Sequence, residues 1–281
     1  MVSQKKKKKV YIINGPPGSG KDTHCVSLSK KYNFEIITIS ELLKKYVKDN
    51  TNKDDSCGKY APGLTDEEKK DLENIEKCIC NGSLAPDHIV NKIFLKYFKS
   101  YSENSEQDKN SEQDQAPEST TSSNGIIING FPRTYEQALL FKKYKINVTK
   151  FINIVVSRET LLNRIMNRTK DPVTNINYNL QIVKLIKKKK QGIKLTIEEE
   201  ELLASQDDTY QNLTDEIIMR LERREDDNES TFNKRYNLYK ENEEKIIPLF
   251  IDICKNVDGE NDINYNFQQI CKIIQEEENY A

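Results

Sequence analysis

The chain lacks any apolar run approaching the roughly eighteen residues that a membrane span requires, so it reads as a soluble protein with no membrane partner. Five lysines, Lys5 to Lys9, stand near the start. The apolar stretch behind them, Val10 to Ile13, is too short for a signal peptide and carries no cleavage pattern. Residue 2 is Val2 rather than the glycine that N-myristoylation needs. A cytoplasmic location is the expectation. Histidine is scarce: His24 and His88 are the only two and lie far apart in sequence, which gives little support to histidine catalysis. The six cysteines are Cys25, Cys57, Cys78, Cys80, Cys254 and Cys271. Without a secretory signal they are expected as thiols. Cys78-Ile-Cys80 has no second pair and no nearby histidine to complete four metal ligands, so both cysteines are expected at buried helix positions. Net charge is also small. Forty-four Lys+Arg against forty-five Asp+Glu leave −1, which excludes a surface built throughout for nucleic acid. No nucleic-acid partner is expected.

Apolar residues are themselves sparse, at 36%, while charged residues reach 32%. Either the core is thin or polar insertions dilute an ordinary one. The order of elements points to dilution. Val10 to Asn14 reads as a buried strand ending in a Gly/Pro cluster, followed by a helix over Lys21 to Tyr32 and a strand over Glu35 to Thr38. Ser40 is expected to cap the next helix. Thr65 to Glu68 forms a capping box for a helix ending near Gly82, and Pro86 starts another. Ser100 to Ser123 holds almost no apolar residue and repeats Asn-Ser-Glu-Gln-Asp, so disorder is expected there. Strands then recur at Ile126 to Asn129, Phe151 to Val156 and Leu249 to Ile253. Helices are expected from Thr134, over Arg158 to Arg168, over Glu229 to Lys245, and around Ile263 to Ile274. The blocks Lys187 to Lys190 and Glu198 to Glu201 read as solvated helical segments. Strands alternating with helices predict an α/β fold with a parallel sheet covered on both faces.

Gly15-Pro-Pro-Gly-Ser-Gly-Lys21 sits between the first strand and the first helix, which is the context of a phosphate-binding loop. Its glycines let backbone N–H groups turn towards an anion, the helix N-terminus adds its dipole, and Lys21 adds a point charge. The residue after Lys21 is Asp22, with Thr23 beside it, where such loops usually place a magnesium-binding hydroxyl. A carboxylate there repels phosphate unless a cation lies between them.

That loop together with Asn129-Gly-Phe-Pro-Arg-Thr134 makes the chain resemble the adenylate kinase family of nucleoside monophosphate kinases. Further matches are Gln137, Asn163-Arg164-Ile165, Arg168, and Asp171 to Tyr178 at the opening of a long-form lid. At the lid's exit, Ser205 to Asp208 carries paired aspartates but no arginine ahead of them. Arg224 to Asp227, followed by Arg235, carries both arginines and is preferred. The resemblance implies a P-loop NTPase fold: a five-stranded parallel sheet flanked by helices, in one domain covering the whole chain. Residues 40–99 would form the monophosphate-binding region, 100–123 a polar insertion, and 170–227 an enlarged lid centred on roughly Ile176 to Glu222. Setting the two expansions aside leaves about 210 residues, an ordinary size for one such domain.

The resemblance also implies roles. Gly15, Pro17, Gly18, Ser19, Gly20, Lys21, Asp22 and Thr23 would bind the triphosphate, with Arg164 stacked on its base. Ile39, Lys44, Ala85, Gly130, Arg133 and Gln137 would bind the monophosphate, Gln137 reading adenine. Lys21, Arg133, Arg168, Arg224 and Arg235 would act in catalysis, and the Val257-Asp-Gly259 loop would lie beside the donor adenine. Mg²⁺ would arrive with the triphosphate, near Asp22 and Asn129 and without assured side-chain ligands. The enzyme would transfer a phosphoryl group reversibly from a Mg·nucleoside triphosphate, with ATP expected over GTP, to a nucleoside monophosphate, with AMP expected over CMP, UMP or GMP, acting as a monomer.

Five departures stand against the family pattern: Asn129 for aspartate, Asp22 for glycine, Ile39-Ser40-Glu41 for Thr-Gly-Asp, Lys44 for arginine, and Ile176 for an early lid arginine. Asp22 would return near the metal the carboxylate lost at 129. The alternative is a nucleotide-binding protein of the same fold with impaired turnover.

Overall fold

A computed structural model describes residues 8–52, 59–103, 123–174, 176–206, 208–224 and 226–276. In chain order the elements are β1 (Lys9–Asn14), α1 (Lys21–Tyr32), β2 (Phe34–Thr38), α2 (Ile39–Asn50), α3 (Asp66–Asn81), α4 (Asp87–Glu103) and β3 (Gly125–Asn129). Next come α5 (Tyr135–Lys143), β4 (Lys150–Val155), α6 (Arg158–Met166), β5 (Arg168–Lys170), β6 (Asn177–Asn179), α7 (Leu180–Lys190) and α8 (Ile197–Ala204). The chain closes with α9 (Asp215–Arg220), α10 (Glu229–Ile246), β7 (Cys254–Asp258) and α11 (Ile263–Glu276). Five strands form one sheet in the order β2-β3-β1-β4-β7, with β3 pairing in parallel to both β1 and β2. This is the expected α/β architecture. Among the described residues no helix is long and apolar enough to cross a membrane.

The chain packs as two compact units. One takes the chain up to Asn14, then Asp22 to Ile152 and Asn242 to Cys254. Its core is built on strands buried on both faces: β3 is buried at every position, and Tyr11, Ile12, Ile13, Ile127 and Ile37 are fully enclosed. An aromatic chain extends this core, with Phe94 stacked on Phe131 at 4.2 Å, Phe131 beside Phe141 at 5.6 Å, and Phe250 between Phe141 and Phe151. Each ring pair adds about 0.5–1.5 kcal/mol beyond its buried area. The Thr65–Glu68 capping box opens α3, and Gly82 closes it in the left-handed conformation.

The other unit takes Gly15–Lys21, Asn153–Glu241 and the chain from Lys255 onward. Here β5 and β6 pair antiparallel, Arg168 opposite Asn179, and a bridge joins Lys170 to Glu222. A small second core of Tyr178, Val183, Leu213 and Ile218 lies in the segment these pairings enclose. Of the expected solvated helices, α7 buries Ile182, Val183 and Leu185 but exposes its closing lysines, while α8 buries nothing.

Several local expectations are corrected. Ser40 is no cap: α2 begins at Ile39, directly after β2, because burial of Ile39, Leu42 and Leu43 sets the helix phase and leaves Ser40 exposed inside it. The helix from Arg158 ends at Met166 rather than at Arg168, which opens β5 instead. Ile247–Ile253 is a 3₁₀ helix with a proline in its first turn. It buries Phe250 and exposes Leu249 and Ile251, and the strand begins only at Cys254. Val257 and Asp258 therefore belong to β7, with Gly259 just after it. Ser100–Glu103 close α4 and Ser123 is buried, while the remainder of the expected disordered tract, 104–122, lies outside the described residues. Cys80 is exposed because α3 turns it away from the buried stripe of Leu72 and Ile75; Cys57 lies outside the described residues.

Candidate active site

In the second unit, the phosphate loop folds back on itself through two bonds to Pro16 O, from Ser19 N at 3.2 Å and from Lys21 Nζ at 3.0 Å. Gly18 holds φ +85°, and a Cβ there would stand 3.1 Å from both Leu161 O and Ile165 Cγ1. Glycine is therefore what lets the loop lie against α6. Gly15 and Ser19 are buried, Pro17, Gly20 and Lys21 half-buried. The Ser19 hydroxyl has no hydrogen-bond partner among the described residues. A buried polar atom left so is costly unless a ligand satisfies it.

Arg164, on α6, donates from Nη2 to Gly259 O at 2.8 Å. Burial lowers its pKa, and the nearby Glu260 opposes that shift. Glu260 itself braces the start of α6, accepting from Ser157 N at 2.6 Å and Thr160 Oγ1 at 2.8 Å; these bonds hold its carboxyl below the ordinary range. Three other arginines converge on two aspartates. Arg224 grips Asp226 with both prongs at 3.0 Å, Arg235 reaches the same carboxylate at 2.7 Å, and Arg168 grips the fully buried side chain of Asp227 in the same two-pronged way. Burial pushes the Asp226 carboxyl up, but Arg224 and Arg235 outweigh it and leave it below its ordinary range. Three guanidinium groups thus meet on two neighbouring carboxylates. Each fork has the geometry that also fits phosphate oxygens.

In the first unit, Asn129 ends β3 and donates from Nδ2 to Asp22 Oδ1 at 2.7 Å, with Thr38 Oγ1 at 3.4 Å. Its own Oδ1 is buried and has no hydrogen-bond partner among the described residues. An exposed carboxylate beside an orphaned amide oxygen is an all-oxygen set of the kind Mg²⁺ and its waters accept, so these residues fit the expected ion. Among the described residues no three His, Cys, Asp or Glu side chains cluster as a protein cage for a metal. Thr23 is half-buried on α1.

Gly130 follows at φ +70°; a Cβ would meet Arg133 Nη2 at 2.8 Å, and Arg133 Nε donates to Gly130 O at 2.8 Å. The glycine thus lets the Arg133 side chain fold over its own turn. Thr134 caps α5 by accepting from Gln137 N at 3.2 Å. Gln137 is buried with both ends of its amide engaged, accepting from Arg133 N at 2.7 Å and donating to Asp87 Oδ1 at 2.8 Å. Ile39 and Ala85 are buried, and Lys44 is exposed on α2. Sequence reasoning missed Asp87, Glu260 and the arginine-holding roles of Asp226 and Asp227. Asp87 was signalled only by an acid directly after Pro86, a common helix start.

The AAA domain family matches residues 12–183. The chain is 48% identical over 250 residues to adenylate kinase 2 of Plasmodium falciparum (isolate 3D7), covering 89% of this chain and 82% of that protein. It is 27% identical over 263 residues to a chloroplastic adenylate kinase of Zea mays, covering 94% of this chain and 90% of that one. An adenylate kinase of Thermococcus onnurineus (strain NA1) is 26% identical over 269 residues, 94% of this chain and 92% of its own.

Proposed function

The chain belongs to the adenylate kinase family and is a nucleoside monophosphate kinase, and from that premise we propose that it transfers a phosphoryl group reversibly between Mg·ATP and AMP, interconverting these with ADP. The observation that supports this reading best is the convergence of Arg168, Arg224 and Arg235 on Asp226 and Asp227, which gathers three guanidinium groups of the kind that bind phosphate.

Phosphoryl transfer asks for positioning and charge stabilisation rather than a covalent nucleophile. The acceptor is a phosphate already largely ionised near neutral pH, so no general base is needed to prepare it. In this reading the loop from Gly15 to Gly20 cradles the donor phosphates through backbone N–H groups. Lys21, Arg168, Arg224 and Arg235 neutralise charge on the transferring group, Arg164 packs on the donor base, and Arg133 and Lys44 hold the acceptor phosphate. Mg²⁺ arriving with the nucleotide would supply further neutralisation of phosphate charge, and Asp22 and Asn129 Oδ1 would hold its waters. The expanded segment over 170–227 acts as the lid that excludes water, the competing acceptor. Residues 40–99 hold the monophosphate, within one catalytic domain. The enzyme acts as a cytoplasmic monomer without a nucleic-acid partner.

Coupled ADP formation with ATP or GTP as donor and AMP, CMP, UMP or GMP as acceptor tests the reading. ATP with AMP is expected to be the fastest pair. Failure of every pair to turn over would leave a nucleotide-binding protein of this fold instead.

A further inference from the structure

Asp87 opens α4 immediately after Pro86, where an acidic side chain ordinarily does no more than favour the helix dipole. Here one of its oxygens is fully committed. Oδ1 accepts from Gln137 Nε2 at 2.8 Å and from Thr134 Oγ1 at 2.9 Å. At the other end of the same amide, Gln137 Oε1 accepts from the backbone N–H of Arg133 at 2.7 Å. Gln137 is 2% exposed, so water cannot replace either partner freely.

These partners decide which way round the amide lies. A backbone N–H can only donate and a carboxylate can only accept. A flipped Gln137 would set N–H against N–H and oxygen against oxygen, losing two buried hydrogen bonds. The amide has two N–H protons and two oxygen lone pairs. One of each is spent on the lock, and one of each is left in a fixed order. A 6-amino purine offers an acceptor at N1 beside a donor at its amino group; a 6-oxo purine offers the reverse. A freely turning amide could serve both edges, whereas a locked one serves a single pattern.

The geometry points to Asp87 as the positioning residue that, with the Arg133 N–H, locks the Gln137 amide and so makes the acceptor site select a 6-amino over a 6-oxo purine monophosphate. This rests on Gln137 reading the acceptor base, the role that the resemblance to adenylate kinases implies for it.

The test compares kcat/KM for AMP and for IMP, which differ only at this edge, in the full chain and its Asp87→Ala, Asp87→Asn and Gln137→Ala variants. The ratio is taken within one preparation, so any loss of folded protein cancels. Asp87→Ala is expected to lower the AMP/IMP ratio about tenfold, the scale of one lost hydrogen bond, through KM for AMP with KM for ATP unmoved. Asp87→Asn should keep the ratio within about threefold, because both bonds fall on a single oxygen that asparagine retains. An unchanged ratio in Asp87→Ala, or an equal loss with both substrates, while Gln137→Ala collapses it, would overturn the role of Asp87 and leave the reading of Gln137 standing. An unchanged ratio in Gln137→Ala would overturn both.

Discussion

Asn129 donates its side-chain amide to the Asp22 carboxylate at 2.7 Å although 107 positions separate them in the chain. The end of β3 and the start of α1 thereby share one negative charge and one amide oxygen that has no hydrogen-bond partner among the described residues. The charge comes from the helix side rather than the strand side. At the second residue of α1, Asp22 also gains from the helix dipole, which offsets part of the repulsion it exerts on phosphate.

If that carboxylate helps hold the magnesium waters, Asp22→Gly will raise the Mg²⁺ concentration for half-maximal velocity about tenfold, roughly the value of one charge-assisted hydrogen bond. Asn129→Asp in the native background sets two carboxylates against each other and will lower thermal stability in the absence of divalent cation, with Mg²⁺ restoring part of it. The double swap Asp22→Gly/Asn129→Asp should recover the native magnesium dependence. A magnesium titration of Asp22→Gly that overlays the native curve would refute the shared-charge account.

Arg235 and Arg224 reach a common carboxylate, that of Asp226. Arg235→Ala is predicted to lower kcat about a thousandfold, the lower end of the range for a guanidinium that stabilises a transferring phosphoryl group. Its melting temperature should move little, because Arg224 still satisfies Asp226. Arg224→Lys should also lose much of the rate despite keeping the charge, since lysine cannot reproduce the two-pronged grip. A variant with near-native kcat would remove that arginine from the catalytic set.

What could be read in advance followed how locally each feature is determined. The phosphate loop, the Thr65–Glu68 box and the buried strands depend on neighbours within a few residues, and the structure contains them as expected. Features set by distant partners were not legible. Arg168 reads as the last turn of a helix, but its pairing with Asn179 draws it into a hairpin. The run Leu249 to Ile253 has strand-like composition, yet Phe250 alone is buried and a 3₁₀ turn presents it to Phe141 and Phe151. Asp87 acquires its significance only from α5, 47 and 50 positions on.

The stacked pair Phe94 and Phe131 tests how the turn that carries Arg133 is held. Both are at most 1% exposed, and Phe131 immediately follows Gly130. Phe94→Ala should cost about 3–5 kcal/mol in denaturant unfolding. It should also lower turnover, because Arg133 and Gln137 hang from the segment that Phe131 anchors. Phe94→Leu, which keeps most of the volume, should restore the larger part of both. Loss of stability without any change in KM for the monophosphate would show that the turn is held independently of this ring pair.

Asp171 and Arg220 make a second test, in the segment proposed as the lid. The Asp171 side chain is fully enclosed and accepts from Arg220 at 2.7 and 2.8 Å, Thr174 Oγ1 at 2.7 Å and Val173 N at 3.0 Å. The Arg220 hydrogen bonds lead in holding its carboxyl well below the ordinary carboxylate range, against the opposing effect of burial. A group whose pKa is depressed on folding contributes stability that is complete above its unfolded value and is lost as pH falls through its folded value. Hydrogen exchange of lid amides such as Tyr178 should therefore be insensitive to pH from neutrality down to about pH 5 in its opening free energy, and opening should become easier below about pH 4. Arg220→Leu removes the leading cause of the depression and leaves burial, so the carboxyl moves up and lid protection weakens already at neutral pH. Because the loss comes from an uncompensated buried carboxylate, Asp171→Leu/Arg220→Leu should protect the lid better than Arg220→Leu alone. If the double variant is instead the less protected, Asp171 stabilises the lid through its bonds from Thr174 and Val173 even without Arg220, and the uncompensated-charge account fails.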